Sequence, residues 1–429
     1  MHTSFERSAT RLSAIKGLSA ERWFSLVFAG WLVLSVTTPE DVYRTFFHAL
    51  IYPLTVFLLV RAEGDALRND AFVRLFLVFC GYMAITTWVV GTGPVEDDIQ
   101  ATRWGFEAAL GMAAFYLWMR SVVSRGVFWG RWFLLMALLG AVAGMLSSLN
   151  GIVAGARIGG LGAMEQPIQG PSIAIVFLAV GLFLTFRRHR ASSRADLVVG
   201  IVSVVAVSVF VTLTQSRAPL ITLVLYLLFF ATVQYLQRQR AVAIYAVVLV
   251  LGSVAALIHW LTGLDVFFEH LIARGASYRL DIWTAYLTYL PESVMLGNGA
   301  GMNFDLTDAS RLYLEPMGLD ISHPHNLWLG AFVETGLIGL LMQGALVILP
   351  VVAAFRSRCP ATDKLHLLAI VGLFLMLTFS DEYTLLISLH PIWFFGWVPL
   401  VFVWVWSTRE RPLKDPGGRN RSNQEPREP

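Results

Sequence analysis

The chain has 429 residues, 56% of them apolar and only 14% charged, with a formal net charge of +3. A soluble domain of this size needs roughly a quarter of its residues charged to cover its surface, so the composition excludes a water-soluble globule and makes lipid the main solvent. Cys80 falls in an apolar run and Cys359 in a basic segment, which excludes a disulfide scaffold, and no Cys/His spacing of the zinc type occurs.

A membrane span takes about 20 predominantly apolar residues, which leaves room for about a dozen. The expected fold is an all-α polytopic membrane protein with about 12 transmembrane helices. The spans read as about 23–38, 46–60, 71–91, 101–119, 127–147, 171–186, 196–214, 217–236, 241–261, 326–354, 364–380 and 387–406. The apolar runs are continuous, whereas a barrel would alternate apolar and polar over shorter segments. The N-terminus is basic but lacks a short apolar core with a small-residue cleavage site before Glu21, so no cleaved signal peptide is expected. The chain therefore divides into nine helices over 1–261, a long polar loop over 262–325, three helices over 326–406, and a Pro-, Arg- and Glu-rich tail over 407–429 whose composition predicts disorder.

Basic residues set the expected orientation. With the N-terminus inside, the inner segments hold 24 Lys and Arg and the outer segments seven, namely Arg44, Arg103, Arg157, Arg217, Arg274, Arg279 and Arg311. Both termini are expected to be cytoplasmic and the long loop extracytoplasmic. The outer arginines are exceptions to this pattern. Arg217 follows Gln215-Ser216 between two spans with almost no loop. An arginine at membrane depth costs about 2.5–3.5 kcal/mol, unless it snorkels to the headgroups. Arg279 opens an amphipathic stretch in which Arg279, Trp283 and Tyr286 share one helical face, with Tyr278 beside them. A guanidinium among aromatics suits a phosphate joined to a sugar or lipid; the plain alternative is a solvated surface helix. Arg157 lies in Gly155-Ala156-Arg157-Ile158-Gly159-Gly160, where glycines allow close approach to a ligand or merely make a flexible loop.

The loop closes on His323-Pro324-His325-Asn326. Histidine suits proton transfer near neutral pH, although a histidine at a helix start is often structural. Arg103 and Glu107 stand four apart and are expected to pair, and Asp381-Glu382 reads as a solvated helix terminus.

At His325 the chain resembles a known family. His325-Asn326, nine residues, then Gly336-Leu337-Ile338-Gly339 resembles the His-(Asn/Ser/Gln)-x9-Gly-x-x-Gly signature of bacterial O-antigen ligases, within the O-antigen ligase and polymerase superfamily. Gly297-Asn298-Gly299-Ala300-Gly301, Arg279 with Trp283, Ser216-Arg217 and the loop at Arg157 extend the resemblance over roughly 150–345. It implies a GT-C type membrane glycosyltransferase in the bacterial inner membrane with a periplasmic active site. The donor would be a glycan on undecaprenyl diphosphate and the acceptor lipid A–core oligosaccharide, with membrane lipids but no nucleic acid as further partners. No cofactor, metal or nucleotide sugar is implied. By motif position His325 is the general base, Arg217 and Arg279 hold the diphosphate, and Arg157, His323, Tyr278 and Trp283 are further substrate-binding candidates. The Gly-x-x-Gly pair would let helices pack closely beneath the histidine. A base within reach of the acceptor favours single displacement and inversion at the sugar carbon. Two other readings remain open: a polymerase of the same superfamily, and a lipid-linked glycan transporter or flippase. Against the transporter, the charged groups gather at the outer rim, whereas transporter sites lie near the midplane.

Overall fold

A computed structural model describes residues 20–63, 67–91, 94–187, 193–237, 252, 278–319, 321, 323–379, 381–382 and 384–409. Apart from Gly252, the span expected at 241–261 lies outside the described residues, as do loop residues 262–277 with Arg274 and the tail beyond Arg409. The protein is all-α. The described helices are α1 (Ala20–Thr37), α2 (Glu40–Arg61), α3 (Ala71–Val90), α4 (Val95–Ser124), α5 (Gly126–Ser147), α6 (Gln169–Phe186), α7 (Arg194–Leu213), α8 (Arg217–Leu236), α9 (Arg279–Thr288), α10 (Leu327–Arg356), α11 (Ala361–Thr378) and α12 (Trp393–Thr408). Eight of them, α2, α3, α5, α6, α7, α8, α10 and α11, are long and apolar enough to cross a membrane.

Two boundaries differ from expectation for identifiable reasons. Helix α4 starts at Val95, earlier than the apolar run, because Glu96, Asp97 and Asp98 occupy its first turn, where negative charge is favourable. The expected helix at 387–406 begins only at Trp393. Leu389 of that expected helix, and Leu385 and Leu386 before it, are buried in an irregular segment instead. That segment is what delivers Asp381, Glu382, Ser388 and His390 to the loop end of the bundle.

Helix starts are secured by side chains that also tie the bundle together. The Asp70 carboxylate accepts the Phe72 and Val73 amides at the start of α3. It also accepts the Tyr116 hydroxyl of α4 and the Trp404 indole of α12. In the same way Ser193 and Asp196 form a capping box on α7, and Arg131 of α5 donates to Asp196. The centre of the bundle is α6, buried along its whole length among α5, α7, α8, α11 and α12. Close approach of α5 needs a small residue: a Cβ on Gly181 would stand 2.9 Å from the Leu134 amide nitrogen. Beside it Phe28, Trp31, Phe115, Trp118, Trp393 and Phe394 form a stacked and edge-on aromatic layer, with Phe28 and Trp118 centroids 4.5 Å apart. The described part of the long loop has its own small core. Ile282, Tyr286, Phe304 and Leu314 close over Val333 of α10, which seats α9 on the first turns of that helix.

Candidate active site at three helix starts

The basic residues that stand out in the sequence lie at helix starts of one kind. Among the described residues, three that are not glycine have positive φ: Gln215 at +51°, Tyr278 at +59° and His325 at +49°. Gln215 stands two residues before Arg217, the first residue of α8. Tyr278 immediately precedes Arg279, the first residue of α9. His325 stands two before Leu327, the first of α10. Left-handed backbone costs on the order of 1–2 kcal/mol for such residues, and it gathers where surrounding structure holds a binding site in place. The charges are also misplaced for stability, since a helix N-terminus disfavours a cation by about 0.3–1 kcal/mol. An anion reverses that account, because the guanidinium and the free amides then attract it together.

At the α10 start, Asn326 caps the helix by accepting the Trp328 and Leu329 amides at 2.9 and 3.0 Å. The Pro324 carbonyl before it accepts the Trp283 indole N–H from α9 at 3.1 Å. His323 and His325 rings lie 3.9 Å apart, and the His325 amide donates to His323 Nδ1 at 3.2 Å. Burial pushes the His323 imidazole down to about 3, aided by His325 and His390, so His323 is neutral and its Nδ1 is committed as an acceptor. His325 Nδ1 is buried and stands 3.6 Å from Asp381 Oδ1, the same oxygen that lies 3.7 Å from Arg279 Nη2. One carboxylate thus faces both the imidazole and the guanidinium.

The α8 start is joined to this cluster through neighbours. Arg157 donates from Nε to the Thr214 carbonyl at 2.9 Å and from Nη2 to Ser216 Oγ at 2.8 Å. Ser216 Oγ donates in turn to the Pro167 carbonyl. Two residues on, Gln169 opens α6 and donates to Glu382 Oε1 at 3.0 Å. Glu382 adjoins Asp381, and burial, reinforced by Asp381, holds its carboxyl well above the usual range against the Gln169 hydrogen bond. Adjacent carboxyls in such different surroundings take different roles: Glu382 is a structural donor or acceptor, and Asp381 faces the site.

The Gly-x-x-Gly pair does something other than simple helix packing. Helix α10 breaks at Gly336, with φ +64° and ψ −166°, a conformation essentially confined to glycine. A Cβ there would lie 2.3 Å from the Met295 carbonyl carbon. The gap receives the segment before the Gly297-Asn298-Gly299 run as a strap: Leu337 donates to Val294 at 2.9 Å, and Asn298 donates to Val333 at 2.9 Å. The Gly301 amide donates to the buried Glu334 side chain at 3.1 Å. Only Gly339 faces a neighbouring helix, with a Cβ there 3.3 Å from the Tyr82 ring of α3. The two glycine motifs therefore interlock.

Of the expected residues, His325 and Arg279 meet at Asp381, His323 lies against His325, Trp283 holds the Pro324 carbonyl, and Arg217 stands at the α8 start, whose turn is braced by Arg157. Tyr278 contributes its backbone turn, while its side chain is exposed. Arg103 and Glu107 pair at 2.7 Å. Asp381-Glu382 is not a solvated terminus: Glu382 is 3% exposed and Asp381 bridges two site residues. No motif spacing links position 381 to 325; the available signal was an acidic pair between two apolar runs in a chain so poor in charge. Among the described residues, no group of three His, Cys, Asp or Glu is placed to hold a metal ion.

Residues 201–343 match the family model described as O-Antigen ligase. The chain is also 25% identical over 418 residues to a protein named O-antigen ligase from Pseudomonas aeruginosa, covering 94% of this chain and 96% of that protein.

Proposed function

We propose, from the match of residues 201–343 to the O-antigen ligase family model and the likeness of nearly the whole chain to a protein of that name, that the protein is a glycosyltransferase-type membrane enzyme that transfers a glycan from undecaprenyl diphosphate to lipid A–core oligosaccharide, with His325 as general base. The single observation that carries this reading is the Asp381 carboxylate lying between His325 and Arg279. A carboxylate facing Nδ1 favours the tautomer with the proton there, which leaves Nε2 to accept a proton. The separation of 3.6 Å is one that tightens when substrate fills the site. Asp381 also favours His325 over His323, whose Nδ1 is already engaged and whose imidazole is held neutral by burial.

In the proposed step the acceptor hydroxyl gives its proton to His325 Nε2 as its oxygen attacks the anomeric carbon of the donor sugar. The bond from that carbon to the diphosphate oxygen breaks with inversion, and undecaprenyl diphosphate leaves with the electron pair. Arg217 and Arg279 meet the developing charge through charge-assisted hydrogen bonds, and the α8 and α9 N-termini add their dipoles. Arg157 and Trp283 act through other groups: one holds the Ser216 turn, the other the Pro324 turn. The protein is placed in the bacterial inner membrane with this end of the bundle facing the periplasm, as the distribution of arginines favours.

The test is transfer by purified protein from a lipid-linked glycan to lipid A–core, without added nucleotide or metal. Appearance of glycan on the core is the expected result. Glycan lengthening with an unmodified core would make the protein a polymerase, and the absence of any covalent product would overturn both readings.

A further inference from the structure

A cavity with polar side chains among apolar ones opens beside His390. It has a volume of about 450 Å3 and is lined by Arg44 of α2, by Gln100, Arg103 and Trp104 of α4, and by Ser388 and His390 of the segment before α12. That volume is within the roughly 300–1,000 Å3 of small-molecule sites. His390, in the wall of this cavity, belongs to the same irregular segment as Asp381, which faces His325 and Arg279.

The charge balance of the wall decides what it fits. Arg44 is paired with Glu40 at 2.5 Å, and Arg103 with Glu107 at 2.7 Å; Glu107 also accepts the Ser388 hydroxyl at 2.5 Å. Glu96 adds a further carboxylate to the lining. The guanidiniums therefore carry no surplus positive charge, and a phosphate would meet three carboxylates around two cations. Instead the wall offers groups that donate and accept in fixed directions. Arg103 engages Glu107 through Nε, and its side chain is 70% exposed, which leaves its amino groups toward the cavity. Burial pushes His390 down to about 4, aided by Arg44, and its Nδ1 accepts the Ile392 amide at 3.3 Å, so Nε2–H is the free donor. Trp104 supplies an apolar face. Planar polar groups paired with one aromatic face match vicinal hydroxyls and the C–H face of a pyranose.

We propose that this cavity, between the start of α4 and the segment before α12, seats the acceptor glycan by binding a neutral sugar unit next to His325. The inference rests on the function proposed above and adds a direction to it. On the donor side Arg279 reaches His325 through Asp381, whereas the cavity reaches the imidazole pair by way of His390. Displacement with inversion needs nucleophile and leaving group on opposite sides of the sugar carbon, which two separate approaches provide.

The test uses the purified full-length protein in detergent with delipidated core oligosaccharide as probe, followed by calorimetry, and transfer kinetics alongside. Wild type should bind the oligosaccharide saturably. Trp104→Ala and Gln100→Ala should each weaken binding and raise the acceptor KM by roughly tenfold, with kcat and donor KM within about twofold. Gln100→Ala keeps the question decidable if the tryptophan variant does not fold. Unchanged binding and acceptor KM in Gln100→Ala would overturn the proposal, as would displacement of the oligosaccharide by pyrophosphate. Binding is read without turnover, so loss of the transferase reading leaves this outcome separately visible.

Discussion

The turns before α8 and α10 place basic side chains by the same means and hold them with very different firmness. Before α8, Arg157 makes two hydrogen bonds to the turn and Ser216 makes a third to Pro167. Before α10, the ties of Pro324 and His325 to groups outside the turn include the Trp283 indole on Pro324 and the 3.6 Å approach of Asp381 to His325. In the proposed reading the first arrangement is a fixed anion seat. In the second, the imidazole and its carboxylate partner stand 3.6 Å apart and would be drawn together by substrate. Charge stabilisation requires donors aligned before the reaction, whereas a base need only be aligned while the acceptor is present.

Substitutions separate the two turns. His325→Ala should lower the transfer rate by roughly 10²–10⁴-fold, the usual worth of a general base, with the protein still inserted and folded; a variant with wild-type rates would remove His325 from the mechanism. Asp381→Asn should cost about 10²-fold, because an amide no longer selects the Nδ1–H tautomer. Its mark is a shifted pH–rate profile, which a purely structural loss would leave in place. Arg157→Ala should give a loss nearer tenfold, seen as a raised donor KM with the acceptor KM kept, and Arg157→Lys should recover only part of it because one ammonium does not reproduce the two-pronged brace. If the α8 turn were as loosely set as the α10 turn, Arg157→Ala would change nothing.

The smallest effect is on stability with pH. His323 and His390 are depressed to about 3 and about 4, below the unfolded value of roughly 6.5. Between those values the unfolded chain binds more protons, so their stabilisation is present above pH ~6.5 and is lost as pH falls toward the folded values. Glu382 is shifted the other way and loses its contribution as pH rises above the ordinary carboxylate range. Melting temperature in detergent should therefore fall on acidification from pH 7, and His323→Gln should flatten that slope. An equally steep slope in His323→Gln would assign the acid sensitivity to other groups.

Apolar runs placed most helices within a few residues, since lipid demands a continuous apolar surface whatever the tertiary contacts. The signal misled at 387–390, where Leu389 is buried without being helical. At the site, Arg217 and Arg279 stood out because each breaks the basic-inside pattern, whereas His325 was singled out by the spacing of the signature it resembles. Asp381 did not, because its partners lie far away in sequence and no spacing rule connects them. Arg157 was visible as an exception, but its work on the Ser216 turn could be read only from the geometry of its guanidinium. The meaning of Gly336 was likewise hidden: a glycine pair in an apolar run looks like helix packing, and only the strap at Val294–Asn298 explains the break.

Helix α6 has a consequence for how the protein is made. In the finished bundle it is buried from Gln169 to Phe186, so its side chains could be more polar if neighbours satisfied them. Yet its mean hydropathy is 1.9, as high as that of helices that face lipid. A helix enters the bilayer before its neighbours close around it, and during that interval lipid is its only solvent. The apolar character of α6 thus serves biogenesis: it is a passport into the membrane, kept by a helix that later leaves the lipid behind.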